Sequence, residues 1–237
     1  MKRKQHYIPL LLTLLVFILL QLPGLTFIQY PFRLLGTWFH EMGHGISALL
    51  VGGQFMHLEI YENGGGVAYS NVSNSYLPYH IARAITAAGG LLGATITGSI
   101  CIVAAKKPRS TTYALATLLF IIILSLILWI RSFWGILILS AFAVGLLIVF
   151  KLQNKNLQKS VLLFLGLQAA LSSYYELGYV FTKQFERFGK INYSDTETIA
   201  QNTFGTYWFW GIIISAINLY IITKAIVIYF ENKKSGH

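Results

Sequence analysis

Cutting the chain at Lys, Arg, Asp and Glu leaves uncharged, mostly apolar stretches at 5–32, 84–105, 110–130, 132–150, 160–175 and 198–223. Each approaches the roughly 20 residues that a membrane-spanning helix needs. A seventh stretch, 34–51, is apolar apart from one polar cluster. The pattern predicts helices at 7–28, 32–51, 81–105, 111–130, 133–150, 160–181 and 204–230. Tyr7, Tyr30, Tyr113, Trp129, Trp134, Tyr207, Trp208 and Tyr229 fall near the expected helix ends, where amphipathic rings anchor at the headgroups. The expected fold is an all-α polytopic membrane protein of about seven transmembrane helices, with a short β-hairpin after the second.

The hairpin is expected in 52–80, which contains no Lys or Arg. Phe55, His57, Glu59 and Tyr61 alternate with Met56, Leu58 and Ile60, then Asn63-Gly64-Gly65-Gly66 leads into a second run from Val67 to Val72. Alternation on both sides of an Asn/Gly turn is a hairpin signal. Backbone bonds within such a hairpin let it dip to the membrane surface under protein cover, and its free edge could pair with an extended peptide. With seven spans, 52–80 and 182–203 lie on the same side of the membrane. The chain divides into a first helix (1–31), a core of the polar helix, hairpin and Gly-rich third helix (32–105), a helical hairpin (106–159), and C-terminal helices carrying a candidate metal ligand (160–237).

Composition agrees with this reading: 55% of residues are hydrophobic and 11% charged, against roughly 45–50% and about 25% in soluble domains. The formal charge of +10 sits in short clusters between apolar runs, at 2–4, 106–109, 151–159, 183–190 and 233–234. Loop charges facing anionic headgroups explain that distribution, and it does not form the basic stripe that nucleic acid requires. The basic clusters divide almost evenly between alternate loops, so they do not set an orientation. Cys101 is the single cysteine and lies in an apolar run, which excludes a disulfide framework and a thiolate zinc site. The basic N-terminus followed by an apolar run resembles a signal peptide. With no small-residue cleavage site after Leu20, it reads as a retained first helix.

The polar cluster in the second span is His40-Glu41-Met42-Gly43-His44. Residues four apart share one helix face, so the two imidazoles can converge on one metal ion while the glutamate between them takes a proton from an attacking water. Zinc suits imidazole and carboxylate ligands, and its catalytic sites keep one position open. An HExxH by chance is expected on the order of 0.005 times in a chain of this composition. Ionisable groups within a span are costly without partners, so they point to function. Gly36, Gly43 and Ser47 share the His face, and Thr86, Gly89, Gly90, Gly93 and Thr97 form a matching surface on the third helix for close backbone packing.

Two imidazoles leave zinc short of a protein ligand. Asp195 is the only aspartate and lies just before the last helix, on the same side as the end of the second; it reads as the ligand or as a helix N-cap, a role that Ser194 also suits. Glu176 in the sixth helix is the alternative ligand, or an acceptor that orients an imidazole. His57, Glu59, Glu62 and His80 read as solvated or interfacial residues.

The HExxH in an apolar helix, the Gly-rich β-like segment after it and Ala87-Ala88-Gly89-Gly90-Leu91-Leu92-Gly93 resemble the site-2 protease family of intramembrane zinc metallopeptidases, in a compact bacterial branch. The stretch from Ser194 to Ala200, with Trp208 and Trp210, is similar to the C-terminal region of that branch. The resemblance covers 32–100 and, more weakly, 174–218. It implies Zn2+ held by His40, His44 and Asp195, Glu41 as catalytic base, and a membrane protein or peptide as substrate, cleaved within or beside a membrane helix. The family's usual Asp-Gly ligand motif is absent, since Thr196 follows Asp195. The competing reading is a metal-binding membrane protein without hydrolysis, a transporter or scaffold.

Overall fold

A computed structural model of the chain describes residues 4–175, 177–187 and 189–231. Helix α1 (Lys4–Leu19) ends well before the expected 28, because Gln21 and the Pro23-Gly24 pair interrupt it. Pro23–Leu25 form a single 3-10 turn, where proline's fixed φ and missing N–H suit a helical start. Helix α2 (Thr26–Leu50) follows directly, so 26–28 belong to it. Helices α3 (Tyr79–Ala104), α4 (Pro108–Leu128) and α5 (Phe133–Lys151) lie close to their expected positions. Helix α6 (Lys155–Tyr175) starts before the expected 160, because the Asn154 carboxamide accepts from the amides of Asn156 and Leu157 and caps it.

Beyond α6 the chain departs from expectation. A short turn of helix, α7 (Leu177–Val180), leads into a second hairpin of β3 (Gln184–Arg187) and β4 (Lys190–Tyr193). Its turn includes Gly189 at φ +73°. Then come α8 (Asp195–Asn202) and, past Gly205 at φ +79°, the last long helix α9 (Tyr207–Phe230).

Helix α3 lies at the centre, packed against α2, α6, α8 and α9. Leu34, Leu35, Trp38, Phe39 and Met42 of α2 share one core with Leu162 and Leu163 of α6. Trp38 is buried, and its indole N–H donates to Ser125 Oγ of α4 at 2.9 Å, which satisfies the one polar atom it brings inside. Among the described residues, four helices, α3, α4, α5 and α9, are long and apolar enough to cross a membrane. Their outward side chains, such as Phe120, Ile127, Leu147, Ile148, Ile212 and Leu219, are exposed hydrophobics that lipid would cover. Helices α2 and α6 are long enough to span but carry polar residues, among them Arg33, His40, Glu41 and His44 on α2 and Gln158 and Gln168 on α6.

The expected hairpin is present as β1 (Gln54–Ile60) and β2 (Gly66–Asn71), antiparallel with Leu58 opposite Ala68 and Ile60 opposite Gly66. A register shift between Phe55 and His57 breaks the simple alternation and puts Phe55, Leu58 and Ile60 together on the buried side. The outer edge of β1 is occupied: Leu58 N–H donates to Trp129 O at 2.9 Å, Arg131 N–H to Leu58 O at 3.1 Å, and Ile60 N–H to Ser132 Oγ at 2.8 Å. Among the described residues, the free edge therefore belongs to β2. The hairpin lies along much of α2. Gly53 N–H bonds Ala48 O at one end, while Tyr30, Arg33 and Thr37 donate to the carbonyls of Glu62, Asn63 and Gly64 at the other. That spans about 27 Å of helix at 1.5 Å per residue.

Candidate metal centre

His40 and His44, one turn apart on α2, face each other with ring centroids 4.7 Å apart and their Nε2 atoms at 3.0 Å. The backbone carbonyl of Thr86 on α3 lies 2.8 Å from His44 Nδ1. A carbonyl only accepts, so Nδ1 carries the proton and a neutral His44 presents its Nε2 lone pair to the centre. The close approach depends on Gly90, since a Cβ there would run into the His44 ring.

Asp195 arrives from the N-terminus of α8. Its Oδ2 lies 3.1 Å from His40 Nε2 and 3.3 Å from His44 Nε2. The cap of that helix is Ser194, whose hydroxyl accepts from Glu197 N–H at 3.2 Å, so Asp195 is left to turn toward the imidazoles. Thr196 Oγ1 ties the same turn to Val180 O at 2.8 Å, and Asp195 N–H donates to the Tyr179 hydroxyl at 3.2 Å. Oδ2 is buried against the two rings. Burial alone would raise the Asp195 carboxyl, but in the metal-free protein the charge and N–H of a protonated His44 or His40 outweigh it and hold the carboxyl below the usual carboxylate range.

One nitrogen from each imidazole and Asp195 Oδ2 lie 3.0, 3.1 and 3.3 Å from one another. A tetrahedral zinc ion with bonds of about 2.0–2.1 Å separates its ligand atoms by about 3.3 Å, so the spacing fits such an ion. Among the described residues, His40, His44 and Asp195 are the group able to hold a metal.

Glu41 is buried at 5% exposure and lines the same cavity, of about 480 Å³, as the three candidate ligands. Gly66, the first residue of β2, packs against it: a Cβ there would stand 2.8 Å from Glu41 Cγ. The cavity is bounded by α2 on one side, by β2 from Gly66 to Ser70 on another, and by Tyr179, Phe185 and Asn192 around β3–β4 opposite.

The remaining sequence candidates lie elsewhere. His57 stacks on Tyr69 at 4.2 Å, Glu59 accepts from Tyr61 at 2.8 Å, and His80 is exposed in the first turn of α3. Burial and the bond to Glu59 push the Tyr61 hydroxyl up. Glu176 lies outside the described residues. Sequence reasoning placed Thr86 on the packing surface of the third helix but did not foresee the bond of its carbonyl to His44, and it missed Tyr179. A backbone carbonyl leaves no residue-type signal, and Tyr179 meets the site through the contact of its turn with α8, which is distant in sequence.

A pair of imidazoles and a carboxylate converging beside a buried glutamate, within a bundle of apolar helices, defines a membrane metallopeptidase-like centre. The family model described as Peptidase M50B-like matches residues 10–225, and the chain belongs to that family, which relates it to the site-2 proteases. The match runs from α1 into α9 and takes in helices that the sequence resemblance left unsupported. No curated protein and no solved structure gives a significant match. Family membership makes the chain an integral membrane protein of the metalloprotease class, whose members depend on zinc.

Proposed function

We propose that this protein is a zinc-dependent endopeptidase of seven spans, residing in a bacterial cell membrane, that hydrolyses peptide bonds in or beside the membrane segments of protein substrates. The observation that carries the reading is the convergence of His40 Nε2, His44 Nε2 and Asp195 Oδ2 within 3.0–3.3 Å beside buried Glu41. These three side chains would hold the metal. When bound, zinc supplies Lewis acidity, polarising the scissile carbonyl and bringing a water's pKa toward about 7.

The chain's own groups do the rest. Glu41, between the two ligands and facing the cavity, takes the proton of the attacking water and returns it to the leaving amine. The Thr86 carbonyl keeps His44 in the tautomer that leaves Nε2 unprotonated. The free edge of β2 aligns an unwound stretch of substrate along the cavity, since a helical segment hides the bond to be cut while an extended one exposes it. Helices α1, α2 and α6 complete the seven spans, and Glu41 of α2 and Gln158 and Gln168 of α6 are buried in protein rather than turned to lipid.

Metal analysis of the purified protein and the Glu41→Gln variant test the reading together. The expected result is one zinc per chain in both, with cleavage of an apolar helical peptide falling by at least about 100-fold in the variant, the scale of a lost general base. Stoichiometric zinc with no cleavage by the unaltered protein would instead favour the non-hydrolytic reading.

A further inference from the structure

The cavity that holds the metal centre has an uneven charge distribution. Apart from His40, Glu41, His44 and Asp195, the charged side chains lining it are Arg83 and Arg187. They come from different walls: Arg83 from the second turn of α3, and Arg187 from the end of β3. Arg83 lies three residues before Thr86, so it stands only about 4.5 Å along the helix axis from the carbonyl that holds His44.

Neither guanidinium meets a carboxylate among the described residues. Each lies over an aromatic ring instead, Arg83 over Tyr79 at 5.9 Å and Arg187 over Phe185 at 5.1 Å. A ring face holds a guanidinium in place without neutralising it. The facing wall, from Gly64 to Val72 of the first hairpin, adds only uncharged residues to the lining. A peptide bound along β2 therefore runs between two positioned, uncompensated cations.

We propose that Arg83 and Arg187 select substrates bearing a carboxylate within a few residues of the scissile bond. This rests on the peptidase reading and names the substrate class it takes. An apolar or amide side chain would bury the guanidinium groups without an anion, whereas a carboxylate offers each of them bidentate, charge-assisted bonds. The carboxylate is taken to be a substrate side chain rather than a lipid headgroup, because both arginines line the cavity that contains the metal centre.

The test uses the full-length, zinc-loaded protein in neutral detergent, with a host peptide of one apolar helix in which Glu, Gln or Lys is scanned through successive positions. Cleavage sites are read by mass spectrometry. C-terminally amidated versions separate a side-chain carboxylate from a chain-end one. The expected result is a preference of about tenfold in kcat/KM for Glu over Gln at one or two positions near the cut. Arg83→Gln and Arg187→Gln each reduce that ratio, and the Arg83→Glu/Arg187→Glu double variant reverses it in favour of Lys, with zinc content unchanged as the check on folding. Equal cleavage of Glu, Gln and Lys peptides overturns the proposal. So does a Glu preference that survives in both single variants. Loss of binding to phosphatidylglycerol vesicles with no change in peptide preference assigns the arginines to lipid and overturns it too. No cleavage of any peptide, with Glu41→Gln indistinguishable from the unaltered protein, removes the peptidase reading and this proposal with it.

Discussion

His44 is constrained from both sides of its ring, by the Thr86 carbonyl on Nδ1 and by the absence of a side chain at Gly90 beside Nε2. A single methyl is enough to disturb it. Gly90→Ala should weaken zinc affinity by at least about tenfold, the scale at which altered support of a ligand is felt. Gly145→Ala on α5, where an added Cβ meets nothing within 4 Å, should leave it unchanged; chelator competition reads both. The spacing of His40, Glu41 and His44 was legible because helical periodicity alone brings residues four apart onto one face. Asp195 was visible as the lone aspartate but was open to two roles. Which role it takes depends on Ser194 accepting the cap bond, a choice between adjacent residues of similar capping preference.

Among the elements, the first hairpin shows how far alternation can be read. The two strands and their Gly-rich turn follow from the pattern, whereas the register shift at Phe55 and His57 and the docking of 129–132 onto β1 do not. That docking determines which edge is left open. Arg131→Pro removes the N–H that donates to Leu58 O, and it should loosen β1. Hydrogen exchange should then quicken in 54–60 and in 66–71 while the middle of α3 stays protected, and peptide cleavage should fall with zinc retained. The second hairpin escaped notice because its strands are four residues each, too short for a period to stand out, and the glycine at 189 was its only turn signal.

For the whole molecule, the candidate centre joins segments from both ends of the chain: α2 and α3 supply the imidazoles and their support, and α8 supplies the carboxylate. A metal bound there stabilises the assembled bundle by mass action, about 2.7 kcal/mol at free zinc 100 times its dissociation constant. Chelation should therefore lower the thermal unfolding midpoint of the detergent-solubilised protein, and Asp195→Asn should remove most of the difference between chelated and zinc-loaded samples. The sequence by itself determined the apolar helices, the membrane setting, the imidazole pair with its glutamate and the presence of a hairpin. Each of these rests on local periodicity and on the cost of placing side chains in lipid or water. Tertiary structure alone decided the approach of Asp195 to the imidazoles, the open edge of β2, and the meeting of Arg83 with Arg187 around one cavity. Those depend on closing long loops and on which surfaces then pack together, and no window of neighbouring residues carries that information.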